Sequence, residues 1–372
     1  MLNLEDIIEE AIQKGASDIH IICGLKPVLR ITKSLVPSKY PVVTEEDIYG
    51  FYDFIVNGSV ENDELFKKDK RLDTAIAYKD VRLRVNISQM DNIPLFTLRI
   101  IKNELPRFED LGVPDVIRRM TYQPQGVILV TGKTNSGKTT TLNCLINDIN
   151  ENQNRKILTL EAPVEYKHKT KKSIIVQKEV GIAGDSLSFH DGVRNALRED
   201  CDILVIGEIR DKETMAAAID MAESGHLVIG TLHTKSCAET LDRIINFYEL
   251  SDQAQIKYLM SALLKIIVSQ RLIKSADGSE LVMVPEVMVV DNVVAGCIRK
   301  EKFSVSEVED AIQSTKDKGS QGLINVLAEL YLKDKITLEQ AQAQIEEKNY
   351  ETLDKTIMQL KSGGVGRASQ QL

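Results

Sequence analysis

The residues best suited to chemistry form a glycine-rich segment directly after an apolar strand candidate, 127–131. The segment reads GKTNSGKT and fits the pattern of glycine, four residues and then Gly-Lys-[Ser/Thr] that is typical of phosphate-binding loops. In such a loop the glycines let successive N–H groups face one anion, and the helix that follows adds its positive dipole end. We expect these residues to bind the phosphates of a nucleotide: Gly132, Lys133, Thr134, Asn135, Ser136, Gly137, Lys138, Thr139 and Thr140.

Two acidic residues follow other apolar strand candidates. Glu208 comes after the run 203–206, where a carboxylate can hold Mg²⁺ or orient an attacking water. Glu165 closes the loop after 157–160 and is a candidate general base, provided that its strand lies beside the phosphate-loop strand. The alternative for Glu165 is a solvent-exposed loop carboxylate.

Two histidines flank the strand candidate 227–232. A strand of this length separates its ends by about 20 Å, so His226 and His233 are not expected to share a metal ion. His233 lies at the carboxyl end, where a γ-phosphate sensor is expected, and His226 at the other end. Histidines that merely pack in the core or cap a helix are the alternative for both.

The spacing of apolar residues predicts an α/β protein of several domains. Residues 1–102 form a small α+β domain, with helices at 4–12 and 45–56 and strands at 17–22, 28–31, 81–86 and 96–100. Residues 103–114 read as a linker and hinge. In 115–290 strands alternate with helices at 139–149, 189–198, 212–224 and 238–247, which predicts a mostly parallel sheet with its ligand at the carboxyl ends of the strands. A helical region, 291–360, and a disordered tail, 361–372, follow.

Arginines mark the last two strands of the first domain. Arg82 and Arg84 are two residues apart and therefore share one face of their strand, and Arg99 lies on the next strand. A solvated sheet face is the simplest interpretation of these residues.

Bulk properties narrow the class of function. The formal net charge of −8 argues against a broad nucleic-acid-binding surface. The five cysteines include no C-x-x-C pair, so neither a disulfide framework nor a zinc knuckle is indicated, and a reducing cytoplasm suits them. The amino terminus does not resemble a secretory signal, and the apolar runs are too short for a transmembrane segment.

Long motifs in the expected order resemble one family. Besides the phosphate loop they are 16–20 (ASDIH), 197–211 (LREDCDILVIGEIRD), 225–244 (GHLVIGTLHTKSCAETLDRI) and 267–272 (IVSQRL). With these motifs the chain resembles the secretion ATPases of type II secretion and type IV pili. The resemblance implies a PAS-like amino-terminal domain, a RecA-like P-loop NTPase domain and a homo-hexameric ring that hydrolyses ATP with Mg²⁺.

The resemblance also implies roles for single residues. The matching positions are Lys138 and Thr139 for phosphate and Mg²⁺, Glu208 for Mg²⁺, Glu165 for the catalytic base, and His226 and His233 for the family's two histidines. Arg84 and Arg99 resemble arginines that reach the nucleotide of a neighbouring subunit, where they meet charge on the transferred phosphoryl group.

Within the family, the chain resembles the motors that retract type IV pili. It shows neither the extra amino-terminal domain nor the four-cysteine insertion of the assembly motors. Pilin disassembly for twitching motility is the implied function, performed in the cytoplasm at the inner face of the membrane through an inner-membrane platform protein. The segment 293–300 (VVAGCIRK) departs from the retraction-associated AIRNLIRE, so an assembly, type II secretion or accessory retraction ATPase remains an alternative. More distant alternatives are a DNA-translocating RecA-like ATPase and a nucleotide-binding scaffold without hydrolysis.

Overall fold

The chain folds into two compact units, which we describe separately. The computed structural model describes residues 2–56, 59–79, 81–102, 105–181 and 184–368. Unit 1 comprises Met1–Leu105, Ala162–Lys167 and Glu179–Asp185, and unit 2 comprises Pro106–Glu161, His168–Lys178 and Ser186–Leu372. The sequence placed the boundary at a linker, 103–114, of which residues 103 and 104 lie outside the described residues. It did not indicate that two short segments from the middle of the chain belong with unit 1.

In its described residues, unit 1 is an antiparallel sheet with three helices. The strands are β1 (Asp18–Ile21), β2 (Val28–Ile31), β3 (Ser34–Pro37), β4 (Leu72–Tyr78), β5 (Val81–Met90) and β6 (Ile93–Lys102), in the order β3-β2-β1-β6-β5-β4. The helices are α1 (Leu4–Gln13), α2 (Glu45–Val56) and α3 (Val60–Asp69). Alternation along β5 buries Leu83, Val85 and Ile87 in the core. The arginines two residues apart on β5 therefore share the opposite face.

Unit 2 contains a second sheet of seven strands. They are β7 (Gly126–Thr131), β8 (Lys156–Glu161), β9 (Ile174–Glu179), β10 (Ile203–Ile206), β11 (Leu227–Leu232), β12 (Leu264–Lys274) and β13 (Leu281–Val289), in the order β13-β12-β7-β11-β10-β8-β9. Strands β12, β7, β11, β10 and β8 run parallel, while β13 pairs antiparallel with β12. The prediction of a mostly parallel sheet is confirmed.

Helices surround this sheet and continue to the carboxyl end of the chain. They are α4 (Val116–Met120), α5 (Lys138–Asn152), α6 (Phe189–Ala196), α7 (Lys212–Glu223), α8 (Cys237–Ile245), α9 (Leu250–Leu263), α10 (Asn292–Arg299), α11 (Val305–Ser314), α12 (Leu323–Leu332), α13 (Leu338–Gln342) and α14 (Tyr350–Ala368). Of the expected tail, 361–368 continue α14, and 369–372 lie outside the described residues. Within the described part of the chain, no helix combines the length and apolarity needed to cross a membrane.

A hydrogen-bonded chain of side chains links β8 to the start of α5. Thr159 Oγ1 and Gln177 Nε2 both donate to Glu161 Oε1, and the His168 N–H donates to Gln177 Oε1. Asn143 Nδ2 donates to the Thr139 carbonyl, so Asn143 Oδ1 is the acceptor for His168 Nε2 at 2.7 Å. Nε2 of His168 therefore carries a proton in this contact, and burial, which lowers the pKa of the ring, favours the neutral imidazole.

The pH dependence of stability tests this network. Burial lowers the pKa of His168 to about 4, with a smaller effect from Lys171. In the unfolded chain the same histidine takes up its proton near pH ~6.5. The contribution of neutral His168 to the free energy of unfolding is therefore fully present above pH ~6.5 and is lost as the pH falls toward 4. We expect acidification from pH ~6.5 to ~4.5 to cost the wild type about 1–2 kcal/mol more than it costs His168→Gln. The measurement is chemical denaturation at each pH.

The matched control is His190→Gln, which changes a histidine whose side chain is 37% exposed. It should keep the wild-type pH dependence. Parallel acid curves for wild type and His168→Gln would contradict the assignment.

Candidate functional site

The glycine-rich segment forms a tight loop between β7 and α5. Every residue of β7 is buried, and α5 begins at Lys138. Gly132 and Gly137 have φ values of 147° and 86°, which side chains rarely permit. A Cβ on Gly132 would lie 2.4 Å from Ser136 Oγ and 2.5 Å from the Gln270 carbonyl oxygen. The backbone therefore needs glycine at this position for a steric as well as a conformational reason.

Lys138 turns back into the loop that precedes it. Its Nζ donates to the carbonyls of Gly132 at 2.9 Å and Lys133 at 3.0 Å. Burial lowers the pKa of Lys138, while the negative charge of Glu208 raises it. The Ser136 hydroxyl is buried and has no hydrogen-bond partner among the described residues. A buried ammonium beside an unpaired hydroxyl at a helix N-terminus suits a phosphate anion.

Glu208 and His233 lie beside Lys138, as the strand pattern predicted. Glu208 follows β10, and its Oε1 is 3.2 Å from Nε2 of His233, which follows β11. Arg210 Nη2 donates to Glu208 Oε2 at 2.6 Å. Burial alone would raise the pKa of Glu208, but Arg210 and the other cationic neighbours hold it below the usual range. Glu208 is thus suited to remain a carboxylate that can hold Mg²⁺.

Burial affects the pKa of His233 more than the charge of Glu208 does. It lowers the pKa of the imidazole, and Lys138 acts in the same direction, whereas Glu208 opposes both. The net shift favours neutral His233 as a hydrogen-bonding group rather than a fixed positive charge. Of the other predicted phosphate and Mg²⁺ ligands, Thr139 is exposed and Thr140 is half-buried, both in the first turn of α5.

The second histidine belongs to a different part of the fold. His226 precedes β11, where its Nδ1 contacts Ser224 Oγ at 3.0 Å. Its carbonyl accepts a hydrogen bond from the Gly126 N–H at the start of β7. His226 and His233 therefore lie at opposite ends of β11, and the contacts of His226 are at the end distant from the phosphate loop.

Glu165 pairs with arginine in unit 1. Arg84 Nη1 lies 3.6 Å from Glu165 Oε1, and Arg84 stands directly opposite Arg99 in the β5–β6 pair. Arg99 Nε in turn donates to the buried carboxylate of Asp18 at 2.9 Å. Burial raises the pKa of Glu165, and the two arginines oppose that effect.

One condition attached to Glu165 is wrong. The sequence argument required β8, which precedes Glu165, to lie beside the phosphate-loop strand. In the sheet, β11 and β10 stand between β7 and β8. The neighbours of β7 are β11 and β12, because the chain crosses over before returning to the centre of the sheet. Strand order of this kind is not contained in the local pattern.

Two further charged residues were not singled out by the sequence argument. Arg210 lies only two positions after Glu208, so its contact could have been anticipated from the motif itself. Glu286 is a buried carboxylate within the apolar strand β13. The only signal in the sequence was a charge inside an apolar run.

The steric requirement at Gly132 gives a direct prediction. We expect Gly132→Ala to destabilise the protein by about 1–3 kcal/mol, because the new Cβ would overlap the Gln270 carbonyl. We also expect its affinity for nucleotide to fall at least about tenfold, since the loop must shift. Thermal unfolding and titration calorimetry measure the two effects.

Gly296→Ala is the matched control. Gly296 lies inside α10, and a Cβ there would meet no atom within 4 Å. Alanine should stabilise that helix by about 0.5–1 kcal/mol and leave nucleotide affinity unchanged. Wild-type stability and affinity in Gly132→Ala would show that the loop does not need this geometry.

Comparison with known proteins identifies relatives over nearly the whole chain. The family model described as "Type II/IV secretion system protein" matches residues 2–371. The Pseudomonas aeruginosa protein named "Type IV pilus retractation ATPase PilT" is 34% identical over 341 residues, which cover 91% of this chain and 97% of that protein. The "Type IV pilus ATPase PilU" of the same organism is 31% identical over 353 residues, covering 94% and 90% of the two chains.

A solved structure agrees with these relatives. The crystal structure of "the Pilus Retraction Motor PilT and Bound ADP" superimposes with a TM-score of 0.83 at 36% identity, covering 95% of this chain and 100% of that one. The resemblance seen in the motifs is confirmed: the chain belongs to the type II/IV secretion system protein family.

Proposed function

We propose that this protein is a hexameric motor ATPase that powers retraction of a type IV pilus, and hence twitching motility. The observation that carries the proposal is the buried Lys138 ammonium, held by its own loop within reach of Glu208 and His233. The name of the relative PilT, a type IV pilus retraction ATPase that aligns over 91% of this chain, supports the assignment to pilus retraction. On this proposal unit 2 is a RecA-like ATPase domain, unit 1 is PAS-like, and 291–360 form a helical region.

The loop residues hold the triphosphate on this proposal. The N–H groups from Gly132 to Thr140 surround the phosphates, and Lys138 exchanges its carbonyl partners for phosphate oxygens. Thr139 and Glu208 are the protein groups that hold Mg²⁺, which, when bound, neutralises charge on the β- and γ-phosphates. Neutral His233, 3.2 Å from Glu208, then contacts the γ-phosphate side of the site.

We assign Glu165 as the general base for the attacking water because it matches the position of the family's catalytic glutamate; the sheet order removes the argument from strand adjacency. Because burial raises its pKa, Glu165 is a stronger base than an exposed carboxylate, while Arg84 and Arg99 oppose that rise. The same arginines belong to a face that, in a ring, supplies positive charge to the nucleotide of a neighbouring subunit. Arginine provided in this way is worth about 10³–10⁵ in rate in other phosphoryl-transfer enzymes.

The partners follow from the same proposal. A ring of identical subunits acts on an inner-membrane platform protein at the cytoplasmic face of the membrane, and pilin subunits are removed from the pilus base. No nucleic acid is expected as a partner, since the chain carries a net charge of −8.

One observation favours a second candidate within the same machinery. Ala295 and Gly296 of α10, and Lys300 directly after it, replace the arginine, asparagine and glutamate of the retraction-associated AIRNLIRE. Lys300 is paired with Glu307 at 2.8 Å, so its charge is used locally. An assembly motor or an accessory retraction ATPase is therefore the alternative.

Turnover by two variants tests the chemistry. Glu165→Gln should bind Mg·ATP with nearly wild-type affinity and lose at least about 10²-fold in kcat, because the base is gone. In Arg84→Ala the acid limb of the kcat/KM profile should move to higher pH. Removing the arginine raises the pKa of Glu165 further, and the base must be ionised to act.

The control for these measurements is Glu223→Gln, which changes an exposed glutamate at the end of α7. It should behave as wild type. Normal turnover in Glu165→Gln would reassign the base, and unchanged rates in both Arg84→Ala and Arg99→Ala would remove the shared-site element of the proposal.

A chromosomal deletion tests the machine. A cell without this protein should be hyperpiliated and unable to twitch, because pili are made but not withdrawn. Complementation with Lys138→Ala at equal protein level should fail, whereas the wild-type gene should restore motility. Bald cells would instead indicate an assembly motor, and piliated, twitching cells an accessory one.

A further inference from the structure

Unit 2 contains a buried carboxylate for which the proposed mechanism has no use. Glu286 lies on β13 directly opposite Ser269 of β12, and only 6% of it is exposed. Its Oε2 accepts a hydrogen bond from the Cys237 N–H at 2.8 Å, at the start of α8. A charged residue at this depth costs more than an apolar one of similar size. We therefore look for a functional role of the hydrogen bond between Glu286 and the Cys237 N–H.

Arg271 makes a parallel contact from the neighbouring strand. It lies two residues after Ser269 on β12, so it shares that face of the strand. Its Nη2 donates to the Lys235 carbonyl at 2.9 Å. The Arg271 guanidinium also lowers the pKa of Glu286, against the dominant effect of burial. The two side chains thus influence each other electrostatically from adjacent strands.

Both contacts fall on one stretch of main chain, which we term the 233–237 segment. It joins the end of β11 to α8, and a third side chain, Arg243 from α8, donates to the His233 carbonyl at 3.2 Å. The backbone is consequently held at its first, third and fifth residues by side chains from α8, β12 and β13, respectively.

The 233–237 segment is also tied to the phosphate loop. Thr234 Oγ1 contacts Thr240 Oγ1 at 2.7 Å, and Thr240 Oγ1 contacts Thr131 Oγ1 at 3.4 Å. Thr131 is the last residue of β7 before the loop. At its other end the segment places His233 Nε2 3.2 Å from Glu208 Oε1. A displacement of this backbone would therefore separate His233 from Glu208.

We propose that Arg271 and Glu286 are positioning residues for nucleotide turnover: by fixing the 233–237 segment they hold His233 against Glu208. The inference rests on the proposed ATPase function and deepens it. It assigns a role at the site to Arg271 of the motif 267–272 and to Glu286 of β13. Neither residue contacts the phosphate loop through the bonds described, so the effect is on turnover rather than on nucleotide affinity.

Kinetics of paired variants test the proposal. Glu286→Leu and Arg271→Met should each lower kcat about 10- to 100-fold and leave the affinity for Mg·ATP within about threefold. Glu286→Gln keeps an acceptor for the Cys237 N–H and should recover kcat to within about fivefold of wild type. In a His233→Ala background, Glu286→Leu should cause no further loss, because the two residues act through one another.

Lys257→Met is the matched control for loss of a buried charge. Lys257 Nζ donates to the carbonyls of Lys300 and Glu301 at the end of α10, away from the 233–237 segment in sequence. This variant should lower Tm without changing kcat. If Glu286→Leu reduces kcat by the same factor with and without His233, or reduces affinity in parallel with kcat, the positioning role is wrong.

Hydrogen exchange separates this inference from the proposed function. In nucleotide-free protein, Glu286→Leu should increase deuterium uptake at the Cys237 amide at least about tenfold, whereas Lys257→Met should not. Unchanged uptake overturns the inference whether or not the protein hydrolyses ATP. If Glu286→Leu increases the uptake but the wild-type protein does not hydrolyse ATP, the proposed ATPase function is wrong. The hydrogen bond by which Glu286 fixes the 233–237 segment is then still supported.

Discussion

The structure depends on a buried ammonium that is held by carbonyl oxygens of its own loop. Lys138 Nζ donates to Gly132 and Lys133, so its charge is solvated by the backbone rather than by a carboxylate. Burial of an ammonium group costs free energy unless a group of opposite charge lies beside it. Glu208 is near enough to raise the pKa of Lys138 but is itself engaged by Arg210. The arrangement leaves a place for an anion with several oxygens, and the N-terminus of α5 favours the same ligand.

The parallel sheet explains why the remaining groups assemble around that lysine. Strands β7, β11 and β10 are adjacent and parallel, so their carboxyl ends deliver the loop, His233 and Glu208 to one edge. Hydrogen bonds between the ends of β10 and β11 position the residues on either side of Glu208. The Ile209 N–H donates to the Thr231 carbonyl, and the Thr231 hydroxyl donates to the Gly207 carbonyl. The position of Glu208 is therefore set by backbone pairing on both sides, and Arg210 keeps its pKa low against the opposing effect of burial.

Much of the site could be predicted because its residues end strands with clear patterns. The apolar run 203–206 is β10 as observed, and 45–56 is a helix with the predicted bounds. The β12–β13 hairpin was not assigned, because Pro285 and Glu286 interrupt the pattern and the partners of Glu286 come from about fifty residues earlier in the chain. Glu165 illustrates a second limit. Its local sequence is informative, yet the separation of β8 from β7 by two strands depends on crossovers that no short window contains. Contacts such as Arg84 with Glu165 are likewise tertiary.

The central claim is that Lys138 exchanges backbone carbonyls for the phosphates of ATP. The most direct measurement is the structure of the assembled protein with Mg²⁺ and a non-hydrolysable ATP analogue. The account predicts that Lys138 Nζ leaves the carbonyls of Gly132 and Lys133 for oxygens of the β- and γ-phosphates, with Mg²⁺ on the Thr139 hydroxyl. An analogue bound at full occupancy elsewhere, with Lys138 still on its two carbonyls, would contradict it.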